Sequence, residues 1–237
     1  EPLEVRLAWP GAAERRVWVT MRTPGHDFEL AVGFCVTEGV LHDVPVRSVR
    51  YCGQGPAAES EFNDVTVDTG GLAPTPTPRL GPASSSCGVC GTVAIGDLLE
   101  RLRPLEAAPF DVEVLALMAD RIDGQALFTP TGAVHAAVAF DRTGEPLLLR
   151  EDIGRHNAVD KVVGRLQMDG RLPAGDLGLW VSGRASFEMA QKAWAAGFAC
   201  LIAVSGPSAL AVETARVANL QLAGFARGDR FNLYTGD

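Results

Sequence analysis

Two thiols set three residues apart carry the most reactive chemistry in this sequence. Cys87 and Cys90 stand in Ser84-Ser85-Ser86-Cys87-Gly88-Val89-Cys90-Gly91, where flanking glycines leave the sulfur atoms approachable. Val93, Ile95, Leu98, Leu99 and Leu102 then recur at helical spacing between Thr92 and Leu102. The pattern predicts a helix with the cysteines at its N-terminus. Free N–H groups and the positive dipole end favour a thiolate there, below the free thiol pKa of ~8.5.

Four chemistries compete for such a pair. A thioredoxin-like dithiol would follow a strand, whereas a Pro- and Ser-rich stretch precedes Cys87. Zinc needs two further ligands, and Cys52, Cys200, His135 and His156 form no second clustered pair. Inert packing suits a glycine-rich turn poorly. A persulfide-carrying or thiol-exchange site fits best, since one thiol holds sulfur while its neighbour assists or resolves. Zinc deaminases use H-x-E followed by P-C-x-x-C. Here His135 is followed by Ala136-Ala137, and the CxxC precedes the histidine. Deamination is therefore not expected, even on a related fold.

Three polar clusters follow. Glu151-Asp152-Ile153-Gly154-Arg155-His156-Asn157-Ala158-Val159-Asp160-Lys161 falls on a turn between a predicted strand and helix. Such loops commonly bind ligands. Arg155, His156 and Lys161 suit phosphate, while Asp152, Asn157 or Asp160 could position a base, a ribose or a metal-bound group. Ser182-Gly183-Arg184-Ala185-Ser186 is a glycine turn leading into a helix, an arrangement that offers N–H groups to an anion. In Gly224-Phe225-Ala226-Arg227-Gly228-Asp229-Arg230-Phe231-Asn232, two arginines flank a Gly-Asp turn between aromatics. Arginine forks suit phosphate and guanine edges, and phenylalanine can cover a base. The plainer alternatives are a solvated turn, a simple helix cap and a hairpin tip.

The elements that must position these groups are legible in outline. Residues 3–9 and 15–21 read as strands, 28–38 as a helix stopped by Gly39, and 65–67 as strand. Gly70 to Pro78 contains three alternating prolines and reads as an exposed connector. Strands at 133–140 and 146–149 flank a hairpin turn. A helix with Val159, Val162, Val163 and Leu166 on one face follows, then a strand at 177–181, a helix at 187–196 and a buried strand at 198–204. A helix at 208–218 and strands at 220–225 and 231–234 complete the alternation. The expected fold class is an α/β layer sandwich with a smaller α+β unit before it. The expected division places 1–83 in an N-terminal α+β domain with connector, and 84–237 in the domain carrying the CxxC loop. Cys35, Cys200, Trp180 and Trp194 are expected in cores, and His26 and His42 at the surface.

Composition bounds the function. The 237 residues carry a formal net charge of −8, which argues against broad binding to nucleic acid. No run approaches the ~18 apolar residues of a membrane span, and no signal-peptide pattern opens the sequence. Five scattered cysteines favour a reducing, cytoplasmic setting over a disulfide scaffold.

Taken in one order, the Cys87/Cys90 segment, the Glu151–Lys161 segment, Ser182–Ser186 and the ending Gly224–Tyr234 closely resemble the FdhD family of formate dehydrogenase accessory sulfurtransferases. The resemblance runs from about Phe28 onward. It implies a cytidine-deaminase-like domain and a homodimer. It also implies sulfur transfer from a cysteine desulfurase to the molybdenum cofactor, the bis-molybdopterin guanine dinucleotide form, before that cofactor enters the formate dehydrogenase catalytic subunit. Cys87 is then the persulfide carrier and Cys90 its assistant. Phe225, Ala226, Arg227, Gly228, Asp229 and Arg230 are expected to hold the cofactor. His135, Asp152, Arg155, His156, Asn157, Lys161, Ser182 and Arg184 contribute, no metal is held by the protein, and GDP would mimic the cofactor's nucleotide end.

Overall fold

The computed structural model describes residues 1–41, 44–51, 62–71, 91–118, 125–228 and 230–236. The strands are β1 (Pro2–Ala8), β2 (Arg15–Met21), β3 (Ser48–Tyr51), β4 (Asp64–Asp68), β5 (His135–Phe140), β6 (Pro146–Asp152), β7 (Gly178–Val181), β8 (Cys200–Ala203), β9 (Gln221–Arg227) and β10 (Arg230–Thr235). The helices are α1 (Asp27–Thr37), α2 (Gly91–Leu99), α3 (Val112–Met118), α4 (Phe128–Thr131), α5 (Arg155–Met168), α6 (Phe187–Ala195) and α7 (Ala209–Ala218).

Alternation builds the smaller sheet, whose order is β2-β1-β4-β3. Leu3, Val5 and Leu7 point inward from β1, and Val65 and Val67 from β4. Leu30, Ala31, Phe34 and Cys35 of α1 pack against them. The Trp18 and Phe34 rings stack at 4.0 Å. Burial along most of α1 makes it a core helix rather than a surface one.

The larger sheet has order β10-β9-β8-β7-β5-β6. Strands β7, β8 and β9 are parallel, and β5 is antiparallel to both β7 and β6. Its two faces use alternate residues of each strand, as the pleat requires. Ala137, Ala139, Leu179, Val181, Leu201 and Ala203 face α5, α6 and α7, where Trp194 is also buried. Ala136, Val138, Phe140, Trp180, Cys200 and Ile202 face Phe110, Leu115 and Met118.

The sheets meet through α1 and α5, which cross at two glycines. A Cβ on Gly33 would lie 1.8 Å from the Asp160 carbonyl oxygen, and one on Gly164 would lie 1.8 Å from the Glu29 carbonyl oxygen. No side chain fits at either position. Polar clasps flank the crossing. Arg150 grips the Glu29 carboxylate with two N–H groups at 2.5 and 2.9 Å, and Arg22 does the same to Asp27 at 3.0 Å twice.

The observed class is mixed α/β with a larger and a smaller sheet, as the alternation predicts. Cys35 and Cys200 are buried in the core, and His26 is exposed. The four-residue strand β3 and the short helices α3 and α4 are additions to the sequence reading, since none of them is long enough to show a sustained period. His42, Cys52 and the division at 83/84 lie outside the described residues.

The crossing generates a direct test. Gly33→Ala and Gly164→Ala should each destabilise the protein by at least ~2 kcal/mol in denaturant unfolding, because backbone must move to admit a methyl group. Gly96→Ala is the control. Nothing lies within 4 Å of a Cβ there, so alanine in this helix should be neutral or stabilising by up to ~1 kcal/mol.

Candidate functional site

Strand direction gathers the polar clusters at one edge of the large sheet. The parallel strands β7, β8 and β9 all end there, where ligands favour open α/β sheets. Antiparallel β5 and β10 begin there with His135 and Arg230, and β6 ends there with Asp152. The loops are fastened to one another. Ser205 N–H donates to Gly183 O at 3.3 Å, Ser208 N–H to Ala185 O at 3.0 Å, and Phe225 N–H to Ser205 O at 3.3 Å. Ser182 Oγ accepts from Ala136 N–H at 2.9 Å and lies 3.4 Å from His135 Nδ1.

Helices α5, α6 and α7 start at this edge. Ser208 caps α7 by accepting from Ala211 N–H at 3.2 Å. Neither Gly154 before α5 nor Ser186 before α6 makes a side-chain cap bond. The start of α5 therefore offers first-turn N–H groups to an anion, whereas at α6 Met189 N–H donates to Ser186 O and the Glu188 carboxylate engages its own N–H.

The Glu151–Lys161 segment divides by depth. Asp152 is buried and accepts from Thr23 N–H at 3.1 Å, Gly154 N–H at 2.9 Å and Asn157 Nδ2 at 2.9 Å, with Lys161 Nζ 2.7 Å away. Lys161 also donates to the carbonyls of Thr23 and Glu151, and Asn157 to that of Met21. Asp152, Asn157 and Lys161 thus latch the chain at 20–23 onto the large sheet. Asp160 faces inward too, towards Lys192 and Thr37. These carboxylates and ammonium groups are occupied within the fold, where sequence reading had turned them towards a ligand.

Arg155 and His156 are spent differently. Arg155 Nε and His156 Nε2 are shielded from solvent yet have no hydrogen-bond partner among the described residues. Burial, with the positive charges of Lys192 and Arg155 adding to it, lowers the His156 pKa to about 4 despite Glu188 and Glu38 nearby. Burial and then Arg155 also lower that of His135. Both rings are neutral near pH 7. Gly183 lies against both His135 and Arg155, since a Cβ there would sit 3.5 Å from His135 Nδ1 and 3.7 Å from Arg155 Cδ.

The far side of the edge is aromatic. Phe225 is half exposed and holds φ at 55°, the left-handed region that non-glycine residues rarely occupy. Its ring lies over Gly206, where a Cβ would come within 2.6 Å of Cζ. Ala226 is buried, whereas Arg184, Arg227, Gly228 and Arg230 are exposed, and Arg227 and Arg230 face each other across the β9–β10 register. The structure therefore collects His135, Arg155, His156, Ser182, Arg184, Phe225 and the two C-terminal arginines at one edge. Cys87, Cys90 and Asp229 lie outside the described residues. Helix α2 begins at Gly91, directly after Cys90 in sequence. Among the described residues, no group of three His, Cys, Asp or Glu side chains is placed to hold a metal ion.

Comparison with known proteins decides the lineage. The model of the FdhD/NarQ family matches residues 2–237. The chain belongs to that family. FdhD/NarQ relatives named sulfur carrier protein FdhD include those of Corynebacterium efficiens, 42% identical, and Streptomyces avermitilis, 44% identical. Each match covers all of this chain, with 88% and 86% of those proteins respectively. The relative in Mycolicibacterium paratuberculosis is 45% identical over 99% of this chain and 88% of its own. The fold matches a crystal structure from Desulfotalea psychrophila, of a protein proposed to be a formate dehydrogenase accessory protein. The TM-score is 0.74 at 22% identity, over 99% of this chain and 87% of that one.

Sequence reasoning missed Lys192, Glu188, Thr23 and Gly206. Only Gly206, in Gly206-Pro207 after an apolar run, carried a local signal. The depressed His156 pKa has a consequence for stability. The unfolded chain takes up its proton near pH 6.5 and the folded one only near pH 4, so stability present above pH 6.5 is lost as pH falls from there towards 4. His156→Gln removes that proton uptake. Denaturant titrations should show wild type losing about 3 kcal/mol more than the variant between pH 7 and pH 4. Parallel losses would refute the buried neutral ring.

Proposed function

We propose that this FdhD/NarQ protein is a cytoplasmic sulfurtransferase that carries persulfide sulfur from a cysteine desulfurase to the molybdenum cofactor destined for formate dehydrogenase. The observation carrying this reading is the convergence of the uncapped α5 start, Arg155, the Phe225 ring, Arg227 and Arg230 at one sheet edge. That set suits a dianionic nucleotide tail with an aromatic base. Family membership supplies the sulfur chemistry.

In the loading step the Cys87 thiolate attacks the outer sulfur of the desulfurase persulfide. A sulfur–sulfur bond forms on Cys87, the desulfurase cysteine departs as thiolate, and no outside oxidant or reductant is needed. Cys90 assists by resolving or releasing the carried sulfur. The molybdopterin guanine dinucleotide is bound as substrate. Phe225 covers its guanine, Arg227 and Arg230 address its phosphates, and the remainder lies along the edge past His135 and Arg155. Two copies of the chain form the working unit, and the formate dehydrogenase catalytic subunit receives the cofactor.

Intact-mass analysis after incubation with a desulfurase and cysteine should show one added sulfur atom on the wild type and on Arg227→Ala. Cys87→Ala should show none. GDP binding by calorimetry should weaken at least tenfold in Arg227→Ala and in Phe225→Ala, with Cys87→Ala unchanged. Normal activation of formate dehydrogenase by Cys87→Ala and Cys90→Ala would overturn the covalent step. It would leave a cofactor-binding chaperone in its place.

A further inference from the structure

Helices α5 and α6 face each other in two tiers. His156 and Asp160 are four residues apart on α5, and Glu188 and Lys192 four apart on α6, so each pair shares a helix face. The outer tier, His156 and Glu188, lies towards the sheet edge. In the inner tier Lys192 Nζ reaches both Asp160 carboxylate oxygens at 2.8 and 2.9 Å. The end of α1 completes the clasp. Lys192 also donates to Thr37 Oγ1 at 2.8 Å and to Glu38 Oε1 at 2.9 Å, and Thr37 Oγ1 donates to Asp160 Oδ1 at 2.8 Å.

From this arrangement we infer that Lys192 is a positioning residue for the sheet-edge site, clamping α1, α5 and α6 together one helix turn behind His156 and so holding that ring beside Arg155. An ammonium with four oxygen contacts is fixed in place and cannot swing out to touch a ligand. It acts through its neighbour. The charged groups facing His156 are Lys192 and Glu188 from α6, Arg155 from α5 and Glu38 from the end of α1. Burial raises the cost of a proton on the ring, and Lys192 and Arg155 add to it. An anion at the start of α5 therefore meets the permanent charge of Arg155 and, next to it, a neutral hydrogen-bonding ring.

The inference rests on the location of the site and not on sulfur transfer. Its test is accordingly read on ligand-free protein. NMR titration with labelled histidine, assigned with His156→Gln, follows the midpoint of His156. The wild-type midpoint should lie near pH 4. Lys192→Arg keeps the charge and should leave it within about 0.3 units. Lys192→Met alone strands Asp160 and can fail to fold. The double variant Asp160→Asn/Lys192→Gln removes the buried pair together, and its near-UV circular dichroism reports native packing. In the folded double variant, which keeps the burial but loses the Lys192 charge, the midpoint should rise by more than about 0.3 units. A wild-type midpoint near pH 6.5, or an unmoved midpoint in the folded double variant, overturns the inference. An unfolded double variant alongside an altered midpoint in Lys192→Arg also counts against it, because the clamp would then be structural only.

Discussion

The contact on which the rest depends is the crossing of α1 and α5 at Gly33 and Gly164. With no side chain between them, two backbones approach until each would collide with a methyl group on the other. A helix buried on nearly all sides must satisfy several neighbours at once. Here α1 seals the small sheet with Leu30, Phe34 and Cys35 while touching α5 through backbone. That closeness brings Thr37 and Glu38 within reach of Lys192, and the 20–23 strand exit within reach of Asp152, Asn157 and Lys161. A wider crossing would lose both sets of bonds.

The Glu151–Lys161 segment consequently works in two directions. Its inward members fasten the N-terminal part of the chain, and its outward members, Arg155 and His156, stand at the edge with Nε and Nε2 unpartnered among the described residues. One helix turn separates the roles, because side chains four residues apart share a face while their neighbours diverge. Rigid support and ligand-facing chemistry are thereby built from the same eleven residues. The edge groups inherit the stiffness of a clasp anchored on both sheets.

Periodicity exposed most of the fold. Apart from β3, strands with alternating or continuous apolar residues stand where the pattern put them, as do the helices with a clear face. The short α3 and α4 escaped because seven and four residues are too few to establish a period. The three edge clusters were legible as motifs, but their division of labour was not. Asp152, Asn157 and Lys161 look like ligand-binding residues in sequence because polarity there is dense. Only the packing of residues 20–23, more than a hundred positions away, shows what their hydrogen bonds serve. Lys192 sits in Phe187–Ala195 as an ordinary charged helix residue, and nothing local marks it as buried. The isolated glycines inside α1 and α5 were the available sign of a close crossing.

A protein with net charge −8 gains little from long-range attraction for an anion. The buried cations Arg22, Lys161 and Lys192 are matched by Asp27, by Asp152 and by Asp160 with Glu38, so their fields largely cancel beyond each cluster. Screening over about 8 Å at physiological ionic strength removes much of what remains. Affinity at the sheet edge must therefore come from short-range geometry: uncapped N–H groups of α5, the Arg155 guanidinium and the exposed forks of Arg227 and Arg230. Groups of that kind discriminate by fit, since each donor is worth most when its acceptor arrives at hydrogen-bond distance. A neutral His156 sharpens the discrimination. It withholds an extra positive charge that would attract any anion, and leaves a directional imidazole that favours one placed correctly.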